Sequence, residues 1–105
     1  MVTTNNSRDS FKANLCKEVS IPYTTAIGES EDIVVLEIKG TDIDAKNRIK
    51  AWFKKHPDWI FVSNDDRHIE LVAGMPQCGY IHEQIVTYKH RNSNHKIVIN
   101  ILHDN

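Results

Sequence analysis

Residues 41–57 read TDIDAKNRIKAWFKKHP, and this stretch restricts the fold of the chain most tightly. Ala45, Ile49, Trp52, Phe53 and His56 recur at the spacing of one helix face, with lysines and an arginine on the others. Thr41 followed three residues later by Asp44 is a capping-box pattern with Asp in place of Glu, so Thr41 is the expected N-cap. Asp42 and Asp44 stand at the positive end of the helix dipole, Lys54 and Lys55 at the negative end. Pro57 ends the helix, because the residue before a proline avoids helical geometry. A helix over Asp42 to His56 with so broad an apolar stripe must bury it against a second layer.

That layer is expected to be a sheet. DIVVLEIKG is rich in β-branched residues and stops at Gly40, which predicts a strand. WIFVSNDDRHIELVA predicts a hairpin turning at Asn64 to Arg67, with Val62 opposite Ile69 and Ile60 opposite Leu71. GMPQCG, a connection rich in turn residues, leads to a second hairpin. In TYKHRNSNHKIVIN a turn at Arg91 to Asn94 sets Tyr88 opposite Ile97, Val86 opposite Ile99, Lys89 opposite Lys96 and His90 opposite His95. SFKANLCKEV spaces Phe11, Leu15 and Val19 as a possible short N-terminal helix capped by Ser10. The expected fold is therefore α+β: a mainly antiparallel sheet of about five strands with one main amphipathic helix on one face. Residues 1–9 are expected as a mobile tail and 10–105 as a single domain. Trp52, Phe53, Ile49, Leu36, Ile60, Leu71, Ile97 and Ile99 are its expected core.

Charge narrows the functional classes. Thirteen Lys and Arg stand against 14 Asp and Glu, a net charge of −1, so an electrostatic partner must be met by a local patch. No segment approaches the roughly 20 apolar residues of a membrane helix, and the first residues carry no apolar leader, so no membrane contact and a cytoplasmic location are expected. Cys16 and Cys78 form no CxxC pair and are expected as reduced thiols.

Two basic clusters stand out. Lys46, Lys50 and Lys54 repeat along one helix face with Arg48 nearby, a surface suited to an acidic protein or to phosphates. The second hairpin ends in Tyr88, Lys89, His90, Arg91, His95 and Lys96, a basic tip of the kind that enters a nucleic-acid groove. The same residue types also occur on ordinary solvated helix faces and on guarded strand ends. The paired histidines have no third ligand placed beside them by sequence, so the tip is expected as a solvated turn and not as a metal site.

VVLEIKG resembles the Glu-x-Lys strand of the PD-(D/E)xK nucleases over three residues, Glu37, Ile38 and Lys39. The resemblance implies a Mg²⁺-binding carboxylate at Glu37 and a Lys39 that orients the attacking water. That family also carries an acidic residue at the end of a preceding strand; here Asp32 stands too close, and Glu18 and Asp9 lie in unlike contexts. GxSxG, the phosphate-binding loop and GxGxxG are all absent. The leading expectation is a non-enzymatic interaction protein, an inhibitor or adaptor that needs no cofactor and binds another protein through a charged surface. A nucleic-acid-binding module using the helix lysines and the 88–96 tip is the alternative, and a metal-dependent nuclease around Glu37 and Lys39 comes third.

Overall fold

A computed structural model describes residues 6–71 and 79–104 of the chain. Six elements follow in the order α1 (Asn6–Val19), β1 (Ile33–Lys39), α2 (Ile43–Lys55), β2 (Trp59–Leu71), β3 (Gly79–His90) and β4 (Lys96–Asp104). The class is α+β, as expected, but the sheet has four strands in the order β1-β4-β3-β2 and is mixed. β3 runs antiparallel to both β2 and β4, whereas β1 lies parallel to β4. Val34, Val35 and Leu36 are buried in succession, which is the pattern of a strand covered on both faces and suits parallel pairing.

The first expected hairpin does not form. β2 runs straight through Asn64 to Arg67, and the chain reverses only between Leu71 and Gly79. Polar partners on β3 hold it extended. Gln84 Nε2 donates to Asn64 Oδ1 at 3.0 Å, His82 Nε2 lies 3.2 Å from Asp66 Oδ1, and Arg67 donates to Glu83 Oε1 at 2.5 and 3.1 Å. A single irregularity between Phe61 and Ser63 absorbs Val62 as a bulge. This register pairs Ile60 with Lys89 across the strands, where Ile60 is 48% exposed and not part of the core. The side chain of Leu71 and the whole of Cys78 lie outside the described residues. The second hairpin has the expected register throughout, from Ile85 opposite Asn100 to Lys89 opposite Lys96.

α2 begins at Ile43, so its N-cap is Asp42 and not Thr41. The Asp42 carboxylate accepts the Ala45 N–H at 3.0 Å, which satisfies one of the open donors of the first turn. Ala45, Ile49, Trp52 and Phe53 face the core, as their spacing implies. α1 starts at Asn6, ahead of the expected cap at Ser10, so residues 6–9 of the expected tail are helical; residues 1–5 lie outside the described set. α1 ends with Ser20 in the left-handed region at φ 56°. Both helices contribute to one core with Val34, Leu36 and Ile38 of β1 and Ile97, Ile99 and Ile101 of β4.

The buried stripe of α1 contains a charge. Lys12 lies on the same face as Leu15, Cys16 and Val19 and is 1% exposed. Its ammonium donates to Glu29 Oε2 at 2.6 Å and to the Thr24 carbonyl, and it sits 4.8 Å from the centre of the Tyr23 ring. Glu29 Oε2 also accepts the Val35 N–H at 3.0 Å, and Oε1 the Ala26 N–H at 3.5 Å. Burial disfavours the Glu29 carboxylate, but the Lys12 hydrogen bond, the Val35 N–H, the Lys12 charge and the Ala26 N–H together outweigh it. The carboxyl is held below its ordinary range. Burial likewise pushes the free Cys16 thiol up, against the pull of Lys12 and with a small push from Glu29, so it stays protonated.

Two outcomes follow from this pair. A folded-state pKa below the unfolded one, about 4.3 for Glu, gives stability that is complete above that value and is lost as pH falls through the lower folded value. Lys12→Met removes the cation from a partly buried carboxylate and should cost about 2–4 kcal/mol near neutral pH. Because Glu29 would then favour its neutral form, that deficit should shrink as pH falls. Urea denaturation of both proteins across pH checks this, and a deficit independent of pH would contradict the pairing.

Candidate functional site

α2 covers the β1 and β4 part of the sheet, and its Phe53 ring stacks on Tyr88 at 3.6 Å between centroids and 9° between planes. Beside that contact a groove of ≈ 340 Å³ separates α2 from the same face of β3 and β2. Its floor is apolar: Val86 and Tyr88 of β3, Ile99 and Ile101 of β4, and Phe61 of β2. Phe61 meets Tyr88 edge-on at 5.8 Å and remains 54% exposed. Lys46 and Lys50 form the helical wall, and the bonded amides of Asn64 and Gln84 stand on the other side. Burial raises the pKa of the Tyr88 phenol, so the ring lies neutral in this floor.

The structure thus joins Lys46 and Lys50 of the helix with Tyr88 of the hairpin, and it disperses the other candidates. Arg48 is turned inward across α1, where Nε donates to the Val19 carbonyl at 2.6 Å and Nη2 to the Ser20 carbonyl at 3.1 Å. It satisfies open carbonyls at the end of that helix and does not line the groove. Lys54 is exposed outside the groove lining.

At the hairpin tip Lys89, Arg91 and His95 contact groups of the chain itself. Lys89 and Lys96 are opposite, as expected, and the Lys89 ammonium avoids its neighbour by donating to the His90 and Ser93 carbonyls at 3.2 and 2.8 Å. Arg91 Nη1 lies 3.6 Å from Asp58 Oδ1, and His95 Nε2 lies 3.4 Å from Asp32 Oδ1. The His90 ring packs edge-on to Trp59 at 5.0 Å, and its Nδ1 accepts the Asn92 N–H at 3.2 Å. His90 and His95 are therefore held by different partners. Lys96 and His95 border a smaller pocket of ≈ 180 Å³ floored by Phe11, Val34 and Trp59, with Glu31 and Asp32 at its rim.

The sheet also aligns three histidines that sequence keeps apart. His68 pairs with His82 across β2 and β3, and His82 pairs with His103 across β3 and β4. The His82 and His103 rings stack at 5.1 Å, with His103 Nε2 3.3 Å from Gln84 Oε1. The His103 ring fills the space a Cβ at position 40 would need, which explains the glycine there. Among the described residues no three His, Cys, Asp or Glu side chains converge on a common metal position.

Around Glu37 and Lys39 the implied nuclease constellation is incomplete among the described residues. Glu37 Oε1 is 3.5 Å from the Thr24 hydroxyl that donates to it. Glu18 accepts the Trp52 Nε1–H at 2.7 Å on the helical side of the sheet, and Asp32 is beside His95. No helix of the described residues is long and apolar enough to cross a membrane. Searches for similar family models, curated proteins and solved structures gave no match to this chain.

The two helix cations should behave differently when removed. Arg48→Ala takes two charged hydrogen bonds from the end of α1 and should lower stability by about 1–3 kcal/mol. Lys54→Ala, on an exposed face, should stay within about 0.5 kcal/mol of wild type. Equal losses in urea denaturation would contradict the capping role of Arg48.

Proposed function

We propose that the chain is a small non-enzymatic interaction protein, of inhibitor or adaptor type, that binds another protein through the groove between α2 and the β2–β3 face. One observation carries this reading: the apolar floor around Phe61, Val86 and Tyr88 is open beside Lys46 and Lys50. An exposed apolar patch with a charged rim is the usual form of an interaction site. The floor provides burial, and the two ammonium groups favour a partner that is acidic along its edge and speed the encounter. An amphipathic segment with large apolar side chains on one face and carboxylates beside them has the matching chemistry. The nucleic-acid alternative requires the helix lysines and the hairpin tip to act together. Lys89, Arg91 and His95 are already engaged by carbonyls and carboxylates of their own chain, which favours the protein reading.

The test is affinity capture from native extract with three forms of the protein. Proteins held by wild type should be lost at least tenfold on Lys46→Glu/Lys50→Glu and on Phe61→Asp, and be retained on Lys54→Glu; tenfold corresponds to about 1.4 kcal/mol of binding. Capture indifferent to the groove variants would contradict the proposal. So would retention of nucleic acid whose affinity falls linearly in log K against log salt.

A further inference from the structure

The sheet has two edge strands, and they are finished differently. Along β1 the preceding loop closes the edge: Glu29 takes the Val35 N–H at 3.0 Å, and Ser30 and Ile33 exchange backbone hydrogen bonds at 3.2 and 3.3 Å. β2 is the other edge, and among the described residues no strand lies on its outer side. It is 13 residues long, roughly 40 Å of extended backbone. Ile60, Phe61 and Val62 follow one another on it at 48%, 54% and 52% exposure. A long edge with adjacent exposed apolar residues is a template for another strand unless something covers it.

We infer that this edge pairs antiparallel with β2 of a second copy, joining two sheets into one. The sequence of the edge supports its own copy as the occupant. A two-fold axis perpendicular to a sheet leaves each side chain on its own face, so one residue must lie on the axis. With Asp66 there, Asp65 falls opposite the partner's Arg67 and Arg67 opposite the partner's Asp65, giving two opposite-charge pairs. Arg67 is 61% exposed while bound to Glu83, so its guanidinium remains accessible to a second carboxylate. Asp66 meets its own symmetry mate, the one like-charge contact of this register, with His82 Nε2 3.2 Å from its carboxylate. In this register residues 63–69 pair; the bulged Val62, Phe61 and Ile60 lie just beyond the paired segment, so the length and charge order of the edge carry the pairing. The two grooves then open on the same face of the joined sheet, an arrangement that stands whatever occupies them.

Sedimentation velocity of the full chain over a concentration series tests this directly. Wild type should sediment as a reversible dimer, and outward-facing β2 amides should exchange with solvent more slowly as concentration rises. Asp65→Arg sets like charges across the axis twice and should weaken the dimer at least about tenfold, with an unchanged circular dichroism spectrum. Lys46→Glu/Lys50→Glu, which alters only the groove, should sediment as wild type does. A wild-type monomer at every concentration overturns the inference. So does a dimer that ignores Asp65→Arg and leaves the β2 amides unprotected.

Discussion

A buried lysine and a partly buried glutamate set the arrangement on which the rest of the structure depends. Lys12 projects from α1, Glu29 from the loop before β1, and the Glu29 carboxylate reaches the backbone of β1 itself at Val35. One ion pair thus fixes a helix, a loop and a strand edge to one another. Its value lies in placement more than in net energy. An isolated pair of this kind is often no more stable than apolar residues of equal volume, whereas loss of one partner is severe. Thr24, Ala26 and Val35 add further hydrogen bonds around it, which offset part of the cost of burying the charges.

The consequences run outward from that corner. The loop is held along the first half of β1, where three successive apolar residues are buried. The two helices pack over β1 and β4, and the long β2–β3 pair extends beyond them. Among the described residues the groove next to α2 and the outer edge of β2 both lie at that extended part of the sheet. Lys46 and Lys50 line that groove, whereas Arg48 is turned back to finish α1. Position along the helix, and not charge alone, decides which cations line the groove.

Much of this was legible in sequence where local pattern and tertiary packing agree. The α2 stripe and the register of the second hairpin were, because apolar residues on one face leave only one pairing that buries them together. The β2 turn was misread because Asn64 to Arg67 look like a turn locally, and the partners that keep them extended lie on β3, far along the chain. The unalternating IVVL run held a signal for a strand covered on both faces, which the antiparallel expectation missed. Lys12 could have been noticed, since it shares a helical face with Leu15, Cys16 and Val19; nothing in the sequence pairs it with Glu29. The groove was half visible, in Lys46, Lys50 and Tyr88, but its floor is assembled from three strands. The contacts of the basic hairpin tip with Asp32 and Asp58 are not legible in sequence, because those carboxylates reach it only in the fold.

The most direct test of this account is the exchange rate of the Val35 amide. An edge-strand N–H bound to a fixed carboxylate should be protected to a degree comparable with the Ile97 and Ile99 amides of the core strand β4. In Lys12→Met the same amide should lose protection selectively, while the β3–β4 pairing keeps its own. A Val35 amide that exchanges as fast in wild type as an open strand edge would contradict the central role of the pair, as would one whose protection is unchanged when Lys12 is removed.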